Sequence, residues 1–266
     1  MSEIGFFDSH AHYYDARFYG EENPAGAEAL LSELFDGGLL GVINIGTNPA
    51  SSMLAIEQAK KFERMYAAVG IHPTDMRDMN MPLDEALSAL RALAADPDNK
   101  VVAIGEIGLD YYWEPYDKDA QRRCFESQLE LSRELSLPVI IHDREAHGDC
   151  FETVLKYPDV KGVFHSFSGS AEMAKELIKR GWYISFSGVV SFKNAAKIKE
   201  VARVVPDDRI LIETDAPYLA PHPFRGKINH SGRLLYTASA LAEERGCDVE
   251  QISLLTRENV KALFGV

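Results

Sequence analysis

Short runs of apolar and β-branched residues recur along the chain, and segments with helical spacing of apolar residues lie between them. The runs are nearly continuous in apolar character, which is typical of strands that are buried on both faces. Eight runs fit this description, at 4–8, 41–46, 66–73, 101–110, 138–143, 162–169, 182–188 and 209–217. They predict eight β-strands.

The intervening segments include clear helix signals at 25–38, 119–138, 170–181 and 248–266. The first ends at Gly37-Gly38, a C-cap signal, and the third begins at Ser170, a residue favoured at helix N-termini. Eight strand–helix alternations within 266 residues predict an α/β protein with a TIM (β/α)8 barrel, a single domain spanning residues 1–266. A doubly wound open sheet is the alternative, but the first strand is followed by DSHAH rather than a glycine-rich phosphate loop.

Composition narrows the class of protein. The formal net charge of −13 argues against a broad non-specific nucleic-acid surface, although it leaves room for a site that handles one or a few phosphates. Three scattered cysteines give no disulfide framework and favour a reducing compartment. The chain has no apolar run of transmembrane length, and its N-terminus does not resemble a secretory signal. We expect a cytoplasmic protein with no membrane segment and no obligate protein partner.

The histidines follow the predicted strands. All eight, at positions 10, 12, 72, 142, 147, 165, 222 and 230, lie at or after the end of a run, and none falls in a predicted helix. Glu106 lies toward the end of the fourth run and Asp215 toward the end of the eighth. Because all strands of such a barrel end on the same face, we expect these side chains to converge on one mouth.

A single histidine at a strand end is more often a hydrogen-bonded core residue than a ligand, and a single glutamate often forms a structural ion pair. Four histidines and two carboxylates at one barrel mouth indicate a metal site, because buried charges are costly unless they are paired or coordinated. Imidazoles mixed with carboxylates suit two divalent ions, Mg²⁺, Mn²⁺ or Zn²⁺, with Glu106 as the bridge. The six predicted ligands are His10, His12, Glu106, His142, His165 and Asp215.

Six motifs in this order, DSHAH, GIHP, GEIGLDYYW, IHDREAH, FHSFSG and ETDAPYLAP, closely resemble those of the TatD-type metal-dependent deoxyribonuclease family, within the amidohydrolase-like metallohydrolases. The resemblance covers most of the chain, from Phe7 to about Lys227. It implies a metal-dependent hydrolase on a TIM barrel and the same six ligands. It also implies cleavage of phosphodiester bonds by metal-activated water, and we expect single-stranded DNA ends or a small phosphodiester as substrate.

Roles for further residues follow from this chemistry. Asp215 is expected to act as the general base and Glu106 to take part in catalysis as the bridging ligand. Arg144, Arg225 and Lys227 are candidate phosphate contacts, with surface or inter-loop ion pairs as the alternative for each.

Two more residues are candidates for contact with the substrate. His72 is expected to contact phosphate or to support the metal site, with a structural role as the alternative. Tyr112 lies between two other aromatic residues and is a candidate for stacking on a base, which is worth about 1–3 kcal/mol per base. The alternative is that these aromatic residues simply pack the rim of the barrel.

One loop departs from the family pattern. After Arg225-Gly226-Lys227 the family continues with Asn-Glu-Pro, whereas this chain has Asn229-His230-Ser231. We expect the loop to overhang the site and to alter substrate preference. The alternative function is therefore a metal-dependent amidohydrolase or lactonase acting on a small molecule. A glutamate in place of the carbamylated lysine of many such enzymes, together with the complete ligand set, favours an active TatD-type hydrolase over both this alternative and a catalytically idle barrel.

Overall fold

The computed structural model describes residues 4–20 and 25–266, so the first three residues of the N-terminal segment considered above lie outside it. Eight parallel strands form one sheet in the order β1 to β8, which confirms the TIM barrel. The strands are β1 Phe7–Ala11, β2 Gly41–Ile45, β3 Met65–Val69, β4 Val101–Asp110, β5 Val139–Arg144, β6 Gly162–Phe164, β7 Tyr183–Phe186 and β8 Ile210–Ile212.

Helices connect the strands and surround the sheet. Those in the described residues are α1 Gly26–Asp36, α2 Pro49–Lys61, α3 Leu83–Ala95, α4 Lys118–Leu135, α5 His147–Leu155, α6 Ala171–Lys179, α7 Ala196–Val204, α8 Leu234–Arg245 and α9 Val249–Phe264. Side chains cap several of them, as Ser170 does when its hydroxyl accepts from the backbone N–H of Met173. None of these helices is long and apolar enough to span a membrane.

The barrel interior is filled by side chains from every strand. Because strand residues alternate between faces, the residues that lie between those packed against the helices, such as Ile140 between Val139 and Ile141, point into the barrel. The interior cluster consists of Phe7, Ile43, Ile45, Ala68, Ala103, Ile140, Val163, Tyr183 and Leu211, with Val260 and Phe264 from α9. A larger cluster of buried residues packs the helices onto the strands. The mouth of the barrel therefore rests on a solid apolar floor.

The seam between β1 and β8 closes the barrel through backbone hydrogen bonds just beyond the end of β8. The N–H of Asp215 donates to the carbonyl of His10 at 2.9 Å, and the N–H of His12 donates to the carbonyl of Ala216 at 2.7 Å. Asp8, which is fully buried, accepts from the backbone N–H of Thr214 at 3.0 Å and from its hydroxyl at 2.5 Å.

Several boundaries differ from the sequence-based expectation. The runs predicted at 66–73, 162–169 and 209–217 form strands that end earlier, at Val69, Phe164 and Ile212. The first strand was expected at 4–8, but β1 continues to Ala11, so His10 lies within the strand rather than after it. The polar residues that suggested a strand exit are buried, because Asp8 and the histidines find partners across the barrel. His147 is the first residue of α5, so the expectation that every histidine lies outside the helices was wrong.

Gly108 permits the close approach of β4 to β5. Its φ is +142°, and a Cβ atom there would lie 2.0 Å from the carbonyl oxygen of His142. No side chain fits in that space, and L-residues rarely adopt that backbone conformation.

We predict that Gly108→Ala lowers the free energy of unfolding by about 3 kcal/mol or more, because the backbone of one strand must move. Gly148→Ala is the matched control, since Gly148 lies in α5 with nothing within 4 Å of its would-be Cβ, and alanine there is neutral or stabilising by up to ~1 kcal/mol. Urea denaturation measures both. Equal stability of the two variants would contradict the prediction.

Candidate metal centre

The carboxyl ends of the strands surround a cavity of about 620 Å³. Its wall includes residues of β4, β5 and β7 and residues of the loops that follow β1, β2, β3, β6 and β8. All six sequence-predicted ligands meet at its floor, and His72 joins them.

Four donor atoms form one group. The Nε2 atoms of His10 and His12 lie 3.1 Å apart, and Glu106 Oε2 lies 3.3 and 3.7 Å from them. Asp215 Oδ1 lies 3.6 Å from the first and 3.4 Å from the second. Four ligands about 2.0–2.1 Å from a tetrahedral Zn²⁺ would be separated by about 3.3–3.4 Å. The observed separations match those of a cation-binding group.

The other oxygen of Glu106 faces a second group. Oε1 lies 2.6 Å from His142 Nδ1, 2.8 Å from His165 Nε2 and 3.5 Å from His72 Nε2. The facing nitrogens of His142 and His165 are 3.4 Å apart. One carboxylate thus presents each of its oxygens to a different set of imidazoles, which is the arrangement of a bridging ligand between two ions.

The hydrogen bonds on the far side of each imidazole show which nitrogen is free to bind a cation. His12 Nδ1 donates to the carbonyl of Ile45 at 2.8 Å, so its Nε2 presents a lone pair to the first group. His165 Nδ1 donates to Glu213 at 3.1 Å, and His142 Nε2 donates to Asp110 at 3.0 Å. Lone pairs that face each other and a carboxylate at these distances require a cation or a proton between them. The donor set therefore fits divalent metal ions.

The pKa values of the buried carboxylates and imidazoles in the cluster are shifted far from their usual values. Burial acts to raise the pKa of Glu106, but His165 and His72 outweigh it and hold the pKa well below its usual value. Burial acts to lower the pKa of His165, but Glu106 and Glu213 outweigh it and raise the pKa well above its usual value. Burial and the neighbouring His142 lower the pKa of His72 to about 3. These opposed shifts show that charge on any member depends on charge on the others.

Two carboxylates at the site were not among the predicted residues. Glu213 is buried, its Oε1 accepts from His165, and its Oε2 has no hydrogen-bond partner in the described structure. Asp110 uses one oxygen for His142 and the other for the backbone N–H groups of Tyr112 and Trp113, at 2.9 and 3.1 Å. The alternation of strand residues could have identified Glu213, because it lies two positions after the interior residue Leu211 and therefore on the same face.

The altered loop contacts the back of the site rather than overhanging it. Asn229 donates to the carbonyl of Thr214 at 2.8 Å, and Ser231 donates to Asp8 at 2.6 Å. Tyr13 completes this buried network through a 2.7 Å contact with the hydroxyl of Ser231. Residues 229–231 are absent from the cavity wall of the described structure. The departure from the family pattern therefore changes the support of the β1–β8 seam.

The candidate substrate contacts are separated. Arg144 and Trp113 line the cavity, while Tyr112 lies just outside it with half of its surface exposed. The guanidinium of Arg144 lies 4.1 Å from the ring centroid of Tyr112 and 5.5 Å from that of Trp113. We call these three residues the Arg144 platform.

Four other sequence-predicted residues lie away from the cavity wall. Arg225 is exposed and stacks on the Phe192 ring at 4.8 Å, and Lys227 is exposed in the same loop. His222 is exposed, and His147 at the start of α5 donates from its Nδ1 to the carboxylate of Asp143 at 2.8 Å. The expected convergence of all eight histidines therefore holds for five of them.

Comparison with known proteins agrees with this geometry. A model of the family described as TatD related DNase matches residues 7–265. The uncharacterized metal-dependent hydrolase YabD of Bacillus subtilis is 41% identical over 98% of this chain and 99% of its own. The 3′-5′ ssDNA/RNA exonuclease TatD of Shigella flexneri is 34% identical over 89% of this chain and 92% of its own.

A solved structure gives the same result. The TatD homologue YjjV of Escherichia coli K12 superposes with a TM-score of 0.88, at 28% identity, over 98% of each chain. The barrel, the donor set at its mouth and the match along nearly the whole sequence converge on one conclusion: this chain belongs to the TatD related DNase family and is a metal-dependent hydrolase of that family.

Proposed function

We propose that this protein removes nucleotides from the 3′ end of single-stranded DNA by hydrolysing phosphodiester bonds, with two divalent ions at the barrel mouth. The observation that carries the proposal is the orientation of Glu106, whose two oxygens face separate imidazole groups. The 3′ polarity follows the name of the Shigella relative. The single hydrolase domain over residues 1–266 and the cytoplasmic location belong to the same proposal.

The ligand roles divide between the two groups of donors. Glu106 Oε2 with His10, His12 and Asp215 would hold one ion, and Glu106 Oε1 with His142 and His165 would hold the other. Mg²⁺, Mn²⁺ and Zn²⁺ are the candidates for both positions. His72, 3.5 Å from Oε1 on the cavity wall, would contact the phosphate.

Divalent ions at such a site lower the pKa of water and neutralise charge on the phosphoryl oxygens. Asp215 lies at the edge of the cluster with 14% of its side chain exposed, so it can reach both a ligand position and the cavity. We assign it as the general base that takes the proton from the attacking water. Arg144 would bind the phosphate through its guanidinium, which can contact two oxygens at once.

The charge of the cavity wall favours a strand end as the substrate. Seven carboxylates line the cavity, and Arg144 is the one arginine or lysine among the described lining residues. Such a wall repels a continuous polyphosphate backbone but accepts the single phosphate that meets the ions and Arg144. The rings of Tyr112 and Trp113 beside Arg144 suit a nucleobase and favour nucleic acid over the small substrates of an amidohydrolase or lactonase.

We expect metal-dependent shortening of a single-stranded oligonucleotide. Metal-stripped protein refilled with Mg²⁺, Mn²⁺ or Zn²⁺ is incubated with DNA labelled at either end, and the products are resolved by length. Asp215→Asn is the control, because asparagine tolerates the φ of +56° at this position but cannot act as a base. Absence of shortening with every metal, from protein shown to hold about two ions, would reject the nuclease proposal.

A second prediction concerns the support of His165. Glu213→Gln keeps the shape of the side chain but weakens its hold on the imidazole, and we expect metal affinity to fall about 10–100-fold. Competition with a chelator measures the affinity. Glu134→Gln is the matched control, because Glu134 is exposed on α4 and pairs only with Arg91. Equal affinities for the two variants would show that Glu213 does not tune the site.

A third prediction concerns the Arg144 platform. Tyr112→Ala removes a half-exposed ring, and we expect KM to rise more for single-stranded DNA than for a small chromogenic phosphodiester, which presents no base. Steady-state kinetics on both substrates provide the test. Equal increases in KM would mean that the ring packs the rim and does not stack on a base.

A further inference from the structure

A second stacked arginine–aromatic pair lies on the cavity and has no role in the chemistry described above. The guanidinium of Arg17 lies 4.0 Å from the ring centroid of Tyr218. Tyr218 lines the cavity, and 45% of its surface is exposed. Its ring meets the His12 imidazole edge to face at a centroid distance of 6.2 Å. We call Arg17 and Tyr218 the Arg17 platform.

The platform is held in place by specific contacts. Asp15 accepts from Arg17 Nε at 2.8 Å and from its terminal nitrogen at 2.7 Å, and it also accepts from the backbone N–H of Arg17 at 2.9 Å. The backbone N–H of Tyr218 donates to the carbonyl of Asp215 at 2.7 Å. Both members are therefore fixed before any ligand arrives, which lowers the entropic cost of stacking on them.

The two platforms lie on opposite sides of the metal centre. Tyr218 follows β8 and Arg17 follows β1, while the Arg144 platform follows β4 and β5. In a closed ring of eight strands in sequential order, the β8–β1 seam and the β4–β5 pair are diametrically placed. A phosphodiester at the ions would thus have one aromatic surface on each side.

The platforms differ in charge. Asp15 neutralises Arg17 through a bidentate pair, so the Arg17 platform carries no net charge. Among the described residues, no carboxylate forms an ion pair with Arg144, so the Arg144 platform keeps its positive charge. A neutral stacking surface suits a base without a further phosphate, and a cationic one suits a base within a continuing backbone.

We propose that the Arg17 platform binds the base of the terminal nucleoside, while the Arg144 platform binds the strand that continues beyond the scissile phosphate. This inference rests on the proposed function and adds to it the position of the leaving nucleotide. Tyr218 and Arg17 are specificity-determining residues that select a base-bearing end, and Asp15 is a positioning residue for them.

The test compares two single-stranded oligonucleotides that differ only at the 3′ end, which carries either a normal nucleotide or an abasic tetrahydrofuran residue. In Tyr218→Ala, we expect the ratio of kcat/KM for the normal end over the abasic end to fall about 5- to 150-fold, the equivalent of one lost stacking contact. Tyr218→Phe keeps the ring and is expected to retain most of the preference.

Tyr236→Ala is the matched control, because Tyr236 is 38% exposed on α8, meets the Phe224 ring edge to face and is absent from the described cavity wall. It is expected to keep the wild-type ratio. A wild-type ratio in Tyr218→Ala, or the same fall in Tyr236→Ala, would overturn the inference.

A binding readout separates this inference from the proposed function. 2-Aminopurine is placed at the 3′ terminus or at the third nucleotide, and its fluorescence is followed on addition of Asp215→Asn protein. We expect Asp215→Asn protein to quench the fluorescence of 2-aminopurine at both positions. In the double variant Asp215→Asn/Tyr218→Ala, we expect the quenching at the terminus to be lost and the quenching at the third nucleotide to be retained. If this pattern of quenching is seen but the wild-type enzyme does not cleave the oligonucleotide, the proposed nuclease activity is rejected and the Arg17 platform stands. If terminal quenching survives the Tyr218→Ala substitution, binding of the terminal base by the Arg17 platform is rejected.

Discussion

The hydrogen bonds that close the barrel between β1 and β8 are the constraint on which the site depends. They join the backbones of His10 and His12 to those of Asp215 and Ala216, so closure of the sheet and assembly of the first donor group are one event. Buried Asp8 reinforces the seam by holding Thr214. A barrel that failed to close there would separate three of the proposed ligands, however well the remaining strands were packed.

The packing of the donor atoms also lowers the stability of the folded chain when no proton or cation lies between them. Carboxylates and imidazoles are packed at distances where lone pairs face each other, an arrangement that is unfavourable without protons or cations between them. Divalent ions relieve this conflict, and free energy of metal binding then adds to the stability of the folded chain. The apolar interior cluster beneath the site supports the strands that carry the donors.

Most of the strands and the six proposed ligands could be predicted from the sequence, because the patterns that mark them lie within a few neighbouring residues. Buried strands give continuous apolar runs, and β4 was predicted with both of its boundaries. Glu106 and His142 stand out because ionisable side chains within apolar strand runs are conspicuous. The extent of β1 could not be predicted, since burial of Asp8 depends on Thr214 and Ser231, more than 200 positions away in the sequence. The stacking of Arg17 on Tyr218 likewise joins opposite ends of the chain, and the contact of Glu213 with His165 spans 48 positions.

Asp110 links the rim of the cavity to its floor. One of its oxygens orients His142, and the other fixes the backbone of Tyr112 and Trp113. A ligand that settles on the rim and an ion that settles on the imidazole thus act on the same carboxylate. Thermodynamic linkage makes such an effect mutual, so a ligand bound at the rim and a bound ion change each other's affinity by the same factor. The strength with which this enzyme retains its metal is then a property of the complex with its substrate, not of the protein alone.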